Sequence, residues 1–134
     1  MSFVSRHRVR FAHCDPAGIA YYPRLLELVD AAIEDWTHYG TGVSRAVMHE
    51  QHRLGLPTAT LATDFARPVQ LADELEINVA VTGIGTTSVN LAVDAQCAGE
   101  RRFSATLVQV LINLGNGQPH PWPEAWRQQL LSVQ

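Results

Sequence analysis

Pro23-Arg24-Leu25-Leu26-Glu27-Leu28-Val29-Asp30-Ala31-Ala32-Ile33-Glu34-Asp35-Trp36-Thr37-His38-Tyr39-Gly40 is the stretch on which the fold turns. Leu25, Leu26, Val29, Ala32, Ile33 and Trp36 recur at spacings of three and four. That spacing puts them on one apolar stripe, so residues 23–39 read as an amphipathic helix. Glu27, Asp30, Glu34 and Asp35 lie mostly off the stripe. The stripe is wide, so much of this helix needs cover. Pro23 suits a first helical turn, where a missing N–H does no harm. Gly40 stands where a left-handed C-terminal cap is expected.

Upstream, His13-Cys14-Asp15-Pro16-Ala17-Gly18-Ile19-Ala20-Tyr21-Tyr22 leads into the helix. Asp15-Pro16-Ala17-Gly18 has the chemistry of a type I turn, with Asp first, Pro second and Gly fourth. Tyr22 carries no short polar side chain to cap the helix. A carboxylate therefore stands near a helix start whose free N–H groups lack an obvious partner, and a bound ligand is one way to supply it. Before the turn, Phe3–Ala12 reads as a strand in which Arg6, Arg8 and Arg10 alternate with His7, Val9 and Phe11.

Downstream, Val43–Leu54 reads as a shorter helix with Ser44 as its cap. His49 and His52 sit there three apart, but no third ligand follows at a known spacing, so they read as surface histidines and no metal site is expected. The pattern then switches to strands. Thr58–Pro68 is β-rich, and Pro68 ends it or marks an edge. In Asp73–Thr82, Leu75, Ile77, Val79 and Val81 share one face. Thr86–Ala98 alternates through Val89, Leu91, Val93, Ala95 and Cys97. Arg102–Leu114 is apolar on both faces from Leu107 onward, as in a strand covered on both sides. Pro121–Leu131 reads as a terminal helix with Trp122, Trp126 and Leu130 at spacing four. Short turns between the later strands imply an antiparallel meander. One long apolar helix against one such sheet is an α+β two-layer domain. The uncovered face and open edges suggest a second subunit.

The 134 residues fit one domain, 1–134, large enough for a core without staples. A net charge of −3 with no basic cluster argues against a nucleic-acid partner. The start Met1-Ser2-Phe3-Val4 has no apolar signal core, and no run approaches the roughly 20 apolar residues of a membrane span. Cys14 and Cys97 form neither a disulfide framework nor a zinc spacing. Reduced thiols in a cytoplasmic protein, with no membrane partner, are the expectation.

Asp15-Pro16-Ala17-Gly18-Ile19-Ala20-Tyr21-Tyr22-Pro23 resembles the signature of the 4-hydroxybenzoyl-CoA thioesterase group of hotdog-fold proteins. Asp64-Phe65-Ala66-Arg67-Pro68-Val69-Gln70-Leu71-Ala72-Asp73-Glu74-Leu75 is similar to a second family feature: an aromatic, then Pro, then Asp before an apolar residue. The order of elements agrees up to about Leu114. The resemblance implies a hotdog fold, a five-stranded antiparallel sheet wrapped around a long central helix, working as a homo-oligomer, either a dimer or a dimer of dimers (a homotetramer). It implies hydrolysis of an acyl-CoA thioester, aromatic or short to medium in its acyl group, to free acid and CoA, with no cofactor.

Within that resemblance Asp15 matches the catalytic aspartate, and Tyr22 the residue whose backbone N–H polarises the thioester carbonyl. A related bacterial subgroup has His at the Tyr22 position, so Tyr22 points to the 4-hydroxybenzoyl type. His13, Gly18, Tyr21, Arg24, Asp30 and Thr60 are the residues expected around the substrate. Each has a plainer reading: Asp15 caps its turn, Arg24 and Asp30 are solvated charges on a helix face, and Tyr21 is a core aromatic. Cys14 faces away from a pocket that Asp15 faces, because adjacent residues of an extended segment point oppositely. Hydrolysis places negative charge on the carbonyl oxygen, and a helix start supplies fixed donors for it. Asp15 either attacks, giving an anhydride, or deprotonates a water.

One departure from the family stands out. The prototype keeps an Arg/Lys cluster between its third and fourth strands for the nucleotide phosphates, whereas Gly83-Ile84-Gly85-Thr86-Thr87-Ser88 has no basic residue. The phosphates are then held by Arg24, Arg67, Arg101 or Arg102, or the thiol belongs to an acyl-carrier protein. Two further alternatives are a non-catalytic acyl-thioester binding subunit and a hydratase, although the Asp and His motif of hotdog hydratases is not found.

Overall fold

In the computed structural model, which describes residues 2–134, the helix of residues 22–41 lies against one five-stranded antiparallel sheet. Strand β1 is Ser2–Arg8 and helix α1 is Tyr22–Thr41, with a 3-10 turn at Phe11–His13 between them. Helix α2 (Arg45–Glu50) and the two-residue strand β2 (Leu54–Gly55) follow. Then come β3 (Thr58–Phe65), β4 (Glu74–Ile84), β5 (Ser88–Cys97), β6 (Glu100–Val110), β7 (Ile112–Asn113) and α3 (Glu124–Val133). The sheet order is β1-β4-β5-β6-β3, and β2 pairs separately with β7. The expected meander is β4-β5-β6, with β1 and β3 on its two edges. This is the α+β hotdog arrangement.

The alternation anticipated in β4 and β5 sets the inner face. Leu75, Ile77 and Val79 are fully buried, as are Val89 and Ala95, and Phe103 and Ala105 of β6 join them. From α1 they meet Leu25, Leu28, Val29, Ala32, Ile33 and Trp36. Leu28 belongs to the buried face and Leu26 is only half-buried, so the stripe is rotated slightly from its expected position. Two threonines are buried within α1, and each donates to the carbonyl one turn back: Thr37 to Ile33 at 2.8 Å and Thr41 to Thr37 at 2.7 Å. Ser5 joins β1 to α1. Its buried hydroxyl donates to Asp35 Oδ2 at 2.7 Å and meets His7 Nε2 at 2.7 Å. Helix α3 closes the end of the core with Trp126, Leu130 and Val133.

Several boundaries differ from expectation: the strand expected over Arg102–Leu114 divides into β6 and β7, the terminal helix begins at Glu124 and leaves Trp122 outside it, and three others have a clear local reason. Gly40 is not the cap of α1. The helix runs on to Thr41, and Gly42 takes the left-handed conformation at φ 84°, its N–H donating to His38 O at 2.8 Å. Gly40 instead makes room, because a Cβ there would overlap the indole of Trp36. Strand β1 stops at Arg8, not Ala12. His13 Nδ1 accepts the Arg10 N–H at 2.8 Å, so a side chain takes a donor the ladder would need, and Phe11 is left exposed. The second helix stops at Glu50. Arg53 then turns the chain with φ 55°, and Leu54–Gly55 pairs with β7.

The segment between β3 and β4 is anchored by an ion pair. Arg102 Nη1 lies 2.7 Å from Asp73 Oδ2 and donates to Pro68 O at 2.9 Å. The same Asp73 oxygen accepts the Gln70 N–H at 2.9 Å. Both side chains are more than four-fifths buried, so the motif aspartate before β4 holds the loop at Gln70 directly and at Pro68 through Arg102. The loop in turn holds the residues leading into α1: Ala20 N–H donates to Val69 O at 2.7 Å and Leu71 N–H to Gly18 O at 2.9 Å.

Two stability outcomes follow from this packing. Gly40→Ala improves helix propensity by about 1 kcal/mol, yet overpacking against Trp36 costs about 1–3 kcal/mol, so the variant unfolds at lower urea than the wild type. Asp73→Ala leaves Arg102 with Pro68 O and, as its one remaining carboxylate, Glu100 at 3.1 Å. Its expected cost is about 3 kcal/mol, the lower end for breaking a buried pair, read from the urea midpoint.

Candidate active site

The turn at Asp15–Gly18 forms as its residues dictate. Gly18 N–H donates to Asp15 O at 3.0 Å, closing the turn, and Gly18 takes φ 77°, which glycine adopts without strain. The chain then doubles back, with Asp15 N–H on Ile19 O at 2.9 Å and Cys14 bridged to Ala20. The Asp15 carboxylate is used asymmetrically. Its Oδ1 accepts the N–H of Ala17 at 2.9 Å and of Ile19 at 3.2 Å. Its Oδ2 has no hydrogen-bond partner among the described residues, and the side chain stands on an exposed hairpin tip. One oxygen of the carboxylate is therefore used by the turn, and the other is left without a hydrogen bond among the described residues.

The start of α1 is bare in a specific way. Tyr21 is its N-cap residue and provides no side-chain hydrogen bond. The N–H groups of Arg24 and Leu25 both return to Tyr21 O, at 2.8 and 3.4 Å. Pro23 has none. The Tyr22 N–H is left as the single donor of the first turn without a partner among the described residues, at the positive end of a 20-residue helix.

A groove of about 350 Å³ opens beside this N–H. One wall is Ile19, Ala20, Tyr22 and Leu25; the other is the Phe65–Val69 segment anchored by Arg102. The Tyr22 ring meets Phe65 edge-on at 6.2 Å between centroids, and Phe65 rests on buried Phe103 at 5.7 Å. The groove is lined mainly by apolar side chains and carries one cation, Arg67. Asp15 is on the hairpin that forms the first wall rather than among the lining residues.

The remaining expected residues divide into two groups. His13 and Tyr21 lie with Asp15. The Tyr21 N–H donates to His13 O at 2.8 Å, His13 Nδ1 faces the Arg10 N–H, and Tyr21 is exposed against Tyr22. Cys14 is half-buried and its Sγ lies 3.5 Å from Arg10 O. Arg24, Asp30 and Thr60 stand apart from the groove. Arg24 Nη1 pairs with Glu27 at 2.7 Å across one turn of exposed helix. Asp30 lines a separate hollow with Arg45, His49 and Thr58, and Thr60 is on the outer side of the sheet beside Thr82 and Thr106. In that hollow, burial pushes the Arg45 guanidinium below its usual pKa, with Asp30 and Glu34 acting in the opposite direction. Sequence reasoning missed Phe65 as a groove residue and named Arg67 only as one of four phosphate candidates, although both fall inside the quoted aromatic–Pro–Asp motif. No group of three or more His, Cys, Asp or Glu among the described residues is arranged to hold a metal ion. No helix among the described residues is long and apolar enough to cross a membrane.

Comparison with known proteins bears on the fold and the family. Over 79 residues the chain is 29% identical to a 1,4-dihydroxy-2-naphthoyl-CoA hydrolase from Picosynechococcus, a match covering 59% of this chain and 53% of that protein. The chain thus spans about half the length of the curated relative it matches. A 1,4-dihydroxy-2-naphthoyl-CoA thioesterase from Synechocystis superposes with a TM-score of 0.86 at 21% identity, over 99% of this chain and 98% of the other. A structure described as thioesterase superfamily, from Jannaschia sp. CCS1, gives 0.89 at 27% identity, over 98% and 92%. The family model for the thioesterase-like superfamily matches residues 9–130, nearly the whole sequence, and the chain belongs to that superfamily.

Proposed function

We propose that this protein hydrolyses an acyl-CoA thioester to the free acid and CoA, with Asp15 and the Tyr22 N–H as its working groups. The observation that carries the reading is the pairing of a carboxylate with one free oxygen and a helix start with one free N–H, beside an apolar groove. In this reading the thioester carbonyl oxygen accepts the Tyr22 N–H, and the helix dipole stabilises the charge that grows there. The free Oδ2 of Asp15 either attacks the carbonyl carbon or takes a proton from the attacking water. Oδ1, held by two backbone donors, keeps the carboxylate from rotating away. The thiolate of CoA leaves, and where Asp15 has attacked, water then hydrolyses the anhydride to release the acid and restore the carboxylate. The edge-on aromatic pair of Tyr22 and Phe65 favours an aromatic acyl group over a short or medium aliphatic one.

The exposed apolar residues around this site support a homo-oligomer. Phe11, Ile19, Tyr21, Tyr22, Phe65 and Leu71 are all at least two-fifths exposed, and β3 is an unpaired edge strand that exposes Leu61. A second copy against β3, in a dimer or a dimer of dimers, covers this surface. It would also bring Asp30 or Thr60 of one copy toward the groove of the other. The protein acts as one hotdog domain in the cytoplasm, with Cys14 and Cys97 as reduced thiols.

Two substitutions test the two working groups. Asp15→Asn keeps an oxygen for the Ala17 and Ile19 donors, so the turn persists. It lowers thiol release from an aromatic acyl-CoA by roughly 10²–10⁴-fold, with an unchanged circular dichroism spectrum. Full activity in this variant would sink the proposal, and tight thioester binding by an inactive wild type would favour a binding subunit. Tyr22→Pro removes the one free N–H at a helix position where proline is tolerated. It costs about 3–4 kcal/mol of transition-state stabilisation, whereas Tyr22→Phe keeps the backbone donor and most of the activity.

A further inference from the structure

All ten basic residues of the chain other than histidine are arginines; there is no lysine. The cation that meets a phosphate of the thiol carrier is therefore an arginine, and the place of each relative to the groove beside Tyr22 sorts them. The β4–β5 turn, where the family keeps its basic cluster, has no basic residue of its own and is covered by the C-terminal segment, which brings Arg127 onto it. Trp122 donates through its ring N–H to Ser88 O at 3.0 Å and through its backbone to Thr86 O at 3.1 Å. Arg127 donates to Gly85 O at 2.9 Å and Leu111 N–H to Thr87 O at 2.7 Å. The backbone carbonyls of this turn are thus tied to Trp122, to Arg127 of α3 and to Leu111 just after β6, and the Arg127 guanidinium there is itself engaged on Gly85 O.

Three of the four candidate arginines are already committed. Arg24 pairs with Glu27 at 2.7 Å, and Arg101 with Asp94 at 2.6 Å. Arg102 is buried on Asp73 and Pro68 O. Arg67 differs in its partner and in its place. Its nearest carboxylate, Glu100, is 3.4 Å away and is shared with Arg102 at 3.1 Å. Its side chain is 64% exposed. It is the one arginine that lines the groove beside Tyr22. Its backbone is held rigidly, because the Arg67 N–H donates to Arg102 O at 3.1 Å.

We propose that Arg67 is the phosphate anchor of this protein, holding the phosphopantetheine end of CoA at the mouth of the groove while the thioester lies at Tyr22. The assignment rests on the thioesterase reading above. A guanidinium with a weak, exposed carboxylate partner can exchange that partner for a phosphate oxygen at little cost, and its planar fork suits phosphate geometry.

The experiment compares benzoyl-CoA with the S-benzoyl thioester of N-acetylcysteamine, which carries the same reacting bond and no phosphate. In Arg67→Ala the ratio of kcat/KM for the CoA substrate to that for the truncated one falls about 10- to 100-fold, the loss lying in KM rather than kcat. Arg67→Lys recovers part of it, and Arg101→Ala leaves the ratio where it was. S-benzoyl phosphopantetheine separates the inner phosphate from those of the nucleotide, since a loss retained on this substrate places Arg67 at the phosphopantetheine phosphate. A loss confined to full CoA moves the contact to the nucleotide and overturns that placement. An unchanged ratio in Arg67→Ala, an equal loss on the CoA and cysteamine substrates, or a fall in the ratio in Arg101→Ala overturns the proposal. If the wild type releases thiol from none of these substrates, the thioesterase reading fails by itself. Calorimetric titration of CoA into wild type and Arg67→Ala then decides the anchor separately: weaker binding by the variant upholds it, and equal or undetectable binding by both overturns it.

Discussion

The burial of α1 is the constraint on which the rest depends. Nine of its 20 residues are buried, from Leu25 to Thr41, and a side that broad cannot be covered by a single neighbouring helix. A five-stranded sheet supplies the area, with β1 and β4 nearest the helix and α3 packed against it. At about 25 cal/mol per Å² of apolar surface, this interface is the main source of stability in so small a chain. The same packing fixes the direction of the helix axis, and thus where its positive end points.

The candidate site is a by-product of that fixation. The helix start lies at the edge of the core, where Tyr22 is exposed while Leu25, one turn on, is buried. The short hairpin before it and the β3–β4 loop are tied to each other through Ala20, Val69, Gly18 and Leu71, and to the sheet through Asp73 and Arg102. Every other donor of the first turn has an acceptor within the chain. A site that leaves one N–H and one carboxylate oxygen free, with all their neighbours satisfied, is preorganised: the cost of orienting them was met during folding.

Substrate reach is organised by a second theme, the scarcity of uncommitted charge. Most arginines are bound to carboxylates or backbone carbonyls, many on the sheet surface, such as Arg8 with Glu74 and Arg101 with Asp94. Exposed pairs of this kind contribute little to stability. Their more telling effect is to leave few cations available to a polyanionic carrier. Where the family's usual turn is closed by α3, the groove's single arginine becomes conspicuous.

The sequence by itself determined the elements whose signal is local and periodic. The stripe from Leu25 to Trp36, the alternation of Leu75, Ile77, Val79 and Val81, and the Asp15–Gly18 turn each announce a conformation within a few residues. Its motifs also indicated the superfamily. Only the tertiary structure decided the rest, because those outcomes depend on residues distant in sequence. Gly40 looks like a cap until the Trp36 indole claims its space. Asp73 looks like a strand-start residue until Arg102, 29 positions later, makes it the anchor of a loop. Leu54 reads as helical until β7 offers it a strand partner. Arg24, Arg67, Arg101 and Arg102 are equivalent on paper, and what distinguishes them is which carboxylate the fold sets beside each. Local preference is written in neighbouring residues, whereas space, pairing and free valence are settled only when the whole chain has packed.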